Sequence, residues 1–251
     1  TLRNKPAAFI KEAQEETAPK LASGETINTE AILQNTFQEE YETLFLKEGP
    51  VKAAYNIAKA YYQNKKDERG IDLIVNNIAL ARKIADIASI YILGQGSMET
   101  RLKMIAASMI FGIPYENLSH RRLDRDIISL ASKINDIDRG ISGLGLQKDN
   151  TIIDKIKRMV KDRIDTPEEL LLYLALKTNQ LDESSTIDTD MYMEMIYVVS
   201  AIASDYGLTE LAIEINNRAL MHYDPGMYDW VKDMIDKKIG MQEEHTSEYM
   251  S

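Results

Sequence analysis

The feature that most constrains this chain is a stretch near its middle third that is apolar on two adjoining helical stripes. Ile71, Ile74, Ile78, Ala81, Ala85, Ala88 and Ile92 recur at alternating spacings of three and four. Such spacing lines residues along one side of an α-helix. Leu73, Leu80, Ile84, Ile87 and Tyr91 make a second stripe beside the first. The pattern predicts a helix over about 68–93, apolar across too wide an arc for one neighbour to cover. A central core helix satisfies it; a coiled-coil seam is the alternative. The consecutive alanines on the first stripe call for a neighbouring helix at close approach.

The rest of the chain repeats the helical period, and no segment shows the alternation of a strand. Only 12 Gly and six Pro occur in 251 residues, few enough breakers for long helices. About ten helices are predicted. Asn28 is a good N-cap for a helix running to Glu48, and Gly49–Pro50 stops that helix and starts the next, which runs to about Asn64. Further helices are expected over about 6–17, 98–111, 116–138, 151–164, 190–206, 208–222 and 225–240. Thr166, Pro167 and Glu169 form a capping box ahead of the apolar run LLLYLAL, and Asp224–Pro225 reads as another cap and first turn. The fold class is therefore all-α, a multi-helix bundle. Gly140, Gly143 and Gly145 mark the clearest interruption. They divide the chain into an N-terminal bundle over 1–139, a Gly-containing linker over 140–150, a C-terminal helical subdomain over 151–240 and a polar tail over 241–251.

Three places carry Ala-x-x-Tyr in an apolar helix followed by a turn and another helix: Ala58/Tyr61, Ala88/Tyr91 and Ala203/Tyr206. The segment YNIAKAYYQNKKDERGIDLIVNNIAL resembles a tetratricopeptide unit, and IASDYGLTELAIEINNRAL resembles a shortened one. The resemblance implies helical hairpins in which a small residue facing a tyrosine lets paired helices approach closely. The tyrosines lie 30 and then 115 residues apart, whereas the family repeats every 34 or so residues. Generic helical hairpins account for the same residues.

Motifs that carry chemistry do not emerge. The chain has no cysteine, which removes disulfides, thiol nucleophiles and thiolate metal sites. Its three histidines, His120, His222 and His245, form neither HExxH nor Glu-x-x-His. Glu116 and His120 are four apart, a pair that reads as a helix-surface contact. The stretch SKINDIDRG fails as a calcium loop, because with Gly140 at position six Ile137 and Arg139 would stand where oxygen ligands belong. The three clustered glycines have the wrong order for a phosphate loop. No catalytic, cofactor-binding or metal-ligating residue is assigned, and no cofactor is expected.

Surface chemistry points to partners instead. The formal net charge of −10 repels nucleic acid and anionic lipid and favours solubility. Arg121, Arg122 and Arg125 could dock an acidic segment of a partner. Met191 and Met193 fall off the inward stripe predicted for Tyr192, Met195, Val199, Ile202 and Tyr206, and methionine adapts to irregular binding surfaces. Lys155, Lys157, Arg158, Lys161 and Arg163 are interleaved with Asp154, Asp162 and Asp165, as on a solvated helix face. No apolar run is long enough to span a bilayer, and the acidic start does not read as a signal peptide. These readings lead to a cytoplasmic, non-catalytic helical adaptor, chaperone-like or structural subunit bound to other protein subunits, with a bacterial secretion-type machine as one setting. A small-molecule or lipid-binding bundle and a nucleic-acid-associated factor are the alternatives.

Overall fold

The structure, a computed structural model, describes residues 28–47, 49–63, 65–66, 73–91, 97–118, 122–141, 150–184 and 186–249, with side chains at all of these except 97, 150 and 238–249. Among the described residues the regular structure is helical throughout, without a strand. None of the helices is long and apolar enough, over the described residues, to cross a membrane. The chain falls into two compact units: Thr1–Ser142 with Arg163–Asn179, and Gly143–Asp162 with Gln180–Ser251. The predicted helix over 6–17, together with Ile71, Ile92, His120, Gly143 and Gly145, lies outside the described residues.

In the first unit, α1 (Thr29–Phe37) begins as the sequence predicts, with the Asn28 side chain accepting from the Ala31 N–H at 3.2 Å. It does not run on to Glu48 as one helix. Gln38 takes a positive φ of 40°, and a 3-10 turn (Gln38–Glu40) and a π turn (Glu42–Leu46) follow. A straight α-helix would set Phe45 well off the side of Phe37, since eight residues overshoot two turns by roughly 80°. The irregular turns bring the two rings to 5.0 Å, with Tyr55 edge-on to Phe45 at 6.0 Å. Aromatic packing thus decides the geometry over local helix continuity.

α2 (Pro50–Tyr62) starts with Pro in its first turn, after an extended Gly49. α3 (Leu73–Tyr91) is the double-striped helix. Ile74, Ile78, Ala81, Ala85 and Ala88 are buried, and so are Leu80, Ile84 and Ile87 on the second stripe. It is the central helix of its unit, packed against α4 (Ser97–Met109) most closely and against α1 and α2 as well. Each fully buried Ile or Leu is worth roughly 1.5–3 kcal/mol, so this helix is a main source of the unit's stability. α2 also packs chiefly on α4, and only lightly on α3. The hairpin that the first tetratricopeptide-like segment implies is therefore not a tight pair: Ala58 is buried, but Tyr61 is half-buried.

The end of α4 is closed by side chains from its neighbours. Asn77 donates to the carbonyls of Met109 at 2.7 Å and Phe111 at 3.0 Å, and the Tyr62 hydroxyl donates to the Phe111 carbonyl at 2.6 Å. These bonds satisfy carbonyls that a helix end leaves without partners. Glu40 is held between Arg82 of α3 at 3.1 Å and Arg101 of α4 at 2.6 Å, which ties the irregular turn to both helices.

The predicted helix over 116–138 is two helices, α5 (Tyr115–Leu118) and α6 (Arg125–Ile141). Asp124 caps the second, its carboxylate accepting from the Asp126 N–H at 3.0 Å. α7 (Asn150–Arg163) belongs to the second unit up to Asp162, and α8 (Pro167–Glu183), whose capping box forms with a variation, lies in the first up to Asn179. Thr166 Oγ1 accepts from the Glu169 N–H at 3.3 Å, while the Glu169 carboxylate reaches back to the N–H of Asp165 at 2.7 Å. Glu169 and Asp165 also bind Lys133 of α6 at 2.7 and 2.6 Å. Lys177 meets Asp138 at 2.7 Å, with both side chains largely buried.

In the second unit, α9 (Thr189–Glu194) passes through a π turn (Met195–Val199) into α10 (Ser200–Asp205). The wider turn inserts a residue into the helical register. Val198 and Val199 are both buried, and the inward side continues at Ile202 and Ala203. The predicted inward stripe holds at Met195, Val199 and Ile202 and fails at Tyr206, which is exposed in the turn after α10. α11 (Thr209–Tyr223) pairs with α10 as the shortened hairpin implies, and α12 (Pro225–Tyr249) follows it. The backbone of α12 runs through residues read as a polar tail, because Gly240 alone does not outweigh the good helix formers around it.

Candidate protein-docking face

Two tight turns fix the helices that build the candidate site. At the first, the Gly207 N–H donates to the Ser204 carbonyl and the Leu208 N–H to the Ala203 carbonyl, both at 2.9 Å. This is a Schellman stop, and Gly207 takes the left-handed φ of 79° that it requires. At the second, the Asp224 carboxylate accepts from the Met227 N–H at 2.9 Å, with Pro225 in the first turn. Both ends follow from local sequence.

The two helices then differ in what they bury. α11 turns Leu211, Ala212, Ile215 and Ala219 inward, and all four are buried. α12 buries none of its described side chains. Tyr228 and Val231 are half-buried and mark the side turned to α11. Met227, Trp230 and Met234 follow one another at three and four residues, so they share one face of the helix. They are 48%, 57% and 52% exposed, and Ile235 beside them is 53% exposed. Ile213, Met221 and Tyr223 of α11 are exposed as well. An isolated exposed apolar residue is ordinary; a continuous stripe of methionine, tryptophan and isoleucine is the composition of a binding surface.

The described charges of α12 are mixed, three aspartates against two lysines. Asp229, Asp233 and Asp236 of α12 and Glu210 of α11 are exposed. Lys237 is bound to Asp233 at 2.6 Å, and Arg218 is bound to Asp182 and, at 2.5 Å, to Glu214. Burial disfavours the charge on Arg218, but these two carboxylates outweigh it and raise its pKa above the ordinary value.

The residues singled out from sequence lie elsewhere. Arg122 and Arg125 are exposed on the first unit, at the start of α6, and Arg121 lies outside the described residues. Met191 and Met193 are half-buried on α9 of the second unit. Tyr192 between them stacks on Tyr223, with ring centroids 4.3 Å apart and planes inclined by 17°, which sets α9 against the end of α11. In the basic group of α7, Lys157 meets Asp154 at 3.8 Å and Lys161 meets Asp205 at 2.5 Å. The hydrogen bond from Lys161 holds the Asp205 carboxyl below the usual range. Lys155, Arg158 and Arg163 are exposed.

No protein-family model matches this chain, and no curated protein does. The site must speak through its own chemistry. Among the described residues, no three His, Asp or Glu side chains gather as a metal ion would need. Sequence reading passed over Met227, Trp230 and Met234. Their signal was present as an i, i+3, i+7 pattern, but periodicity alone does not distinguish a stripe that packs inward from one left open.

Proposed function

We propose that this chain is a non-catalytic helical adaptor, a structural or chaperone-like subunit that holds another protein on the open face of α12. The observation that carries the reading is the stripe Met227, Trp230 and Met234, exposed along a helix whose other side rests on α11. Full burial of such a side chain is worth roughly 1.5–3 kcal/mol, and with about half of each one in water a partner that covers it recovers about half of that. Tryptophan anchors binding energy at protein interfaces, and methionine adapts its shape to the partner.

The test is affinity isolation of the full chain from its native cell, beside a variant carrying Met227→Glu and Met234→Glu. Companion proteins are expected with the unaltered chain and absent with the variant, at equal thermal stability. Isolation of the unaltered chain alone, or the same companions with both forms, contradicts the proposal.

A further inference from the structure

We infer that Met227 and Met234 form a reversible oxidation site, at which a peroxide converts both to sulfoxides and so closes the face of α12 to its partner; the closing step rests on the adaptor reading above. The chain holds 12 methionines and no cysteine. A thiolate would be the first side chain to meet a mild two-electron oxidant; without one, the thioether sulfurs take that place. Access then selects among them. Met104, Met109 and Met195 are fully buried, whereas Met227 and Met234 stand about half in water. Met98 of α4 and Met221 of α11 are the one exposed methionine of their helices. α12 carries two, seven residues apart, which sets them about 10 Å apart along the axis and on nearly the same side. Trp230 lies between them on that side.

The step balances with hydrogen peroxide as the oxidant. A sulfur–oxygen bond forms as the oxygen–oxygen bond breaks. The sulfur gives up two electrons to the departing oxygen, which takes the proton of the transferred hydroxyl and leaves as water. The product is a strongly polar side chain where an apolar one stood, and such a change disrupts methionine-rich contacts. The fold does not depend on these two side chains, because α12 buries none of its described ones. Two sulfoxides on one stripe therefore alter the surface and leave the core intact. Methionine sulfoxide reductases reverse the change. A partner already seated on the stripe would shield both sulfurs, so the modification acts on the free chain.

The experiment treats the immobilised full chain with hydrogen peroxide, washes the oxidant away, and reads each methionine by peptide mass spectrometry. The treated chain is then offered extract of its native cell, with and without prior repair by methionine sulfoxide reductases. Met227 and Met234 are expected to gain one oxygen each while Met104, Met109 and Met195 stay reduced and the melting temperature holds. Companion proteins should be lost on oxidation and regained on repair. A Met227→Leu/Met234→Leu variant, which keeps the stripe apolar without sulfur, should retain them after peroxide. Oxidation of Met227 and Met234 no faster than that of the buried methionines overturns the site, whatever the companions do. Companions that survive oxidation of both, or that the leucine variant loses equally, overturn the closing step and leave the adaptor reading standing. If the untreated chain captures nothing, the adaptor reading falls and the closing step with it, while the mass readings still decide the site.

Discussion

The Tyr62 hydroxyl stands 2.9 Å from where a Cβ on Gly112 would lie, and it donates a 2.6 Å hydrogen bond to the Phe111 carbonyl just before that glycine. Gly112 takes a φ of 80°, so backbone and neighbour both exclude a side chain there. Gly112→Ala is expected to cost about 1–3 kcal/mol, measured by urea unfolding. In a Tyr62→Phe background the hydroxyl is gone and the cost should shrink. Equal costs in both backgrounds would show that the contact does not matter.

Gly207 provides a contrast. It has a φ of 79°, but nothing lies within 4 Å of a Cβ added to it. Gly207→Ala should therefore carry backbone strain alone, on the order of 1 kcal/mol. A penalty larger than that of Gly112→Ala in the same unfolding assay would contradict the comparison.

Tyr62 also gives an alkaline signature. Burial pushes its phenol up to about 12, with contact to Asn77 acting in the other direction. A phenol raised in the folded state stabilises the fold fully below the unfolded value, near 10, and that contribution is lost as pH rises toward 12. Two units correspond to roughly 3 kcal/mol at most. Tyr62→Phe should flatten the fall in stability between about pH 10 and 12, after allowance for the common alkaline slope of the other tyrosines and lysines. Superimposable profiles for the two proteins would remove Tyr62 as the cause.

Lys177 and Asp138 meet at 2.7 Å with side chains only 4% and 15% exposed. Lys177→Met removes the ammonium from beside a largely buried carboxylate, which is expected to cost about 3–5 kcal/mol. Adding Asp138→Leu should recover a large part of that loss. A double variant less stable than the single one would place the value of the pair in its attraction instead of in avoided desolvation.

Most of the fold was legible in patterns that a single segment carries. The two stripes of Ile74, Ile78, Leu80 and Ile84, the cap at Asn28 and the Thr166–Glu169 box each depend on residues within a few positions of one another. What was not legible depends on distant neighbours. The π turn at Met195–Val199 carries no mark in the sequence period, and Tyr206 is exposed because α10 ends at Asp205, one residue before it. The turn after Phe37 exists because Phe45 packs on Phe37 and Tyr55. Asp124 was overlooked as a cap between α5 and α6, although an aspartate before an apolar run is a usable signal. The open stripe of α12 was hidden for a different reason: Val231 and Trp230 look equally apolar in sequence, and only packing on α11 separates them.

A photo-activatable residue in place of Met234 tests the open face of α12 directly. Placed in the full chain in its native cell and irradiated, it should give a discrete cross-link to another protein. The same residue at Asp229, on another side of α12, should give far less. Equal yields from the two positions, or cross-links at position 234 only to the chain itself, would contradict the account of α12 as the face that holds a partner.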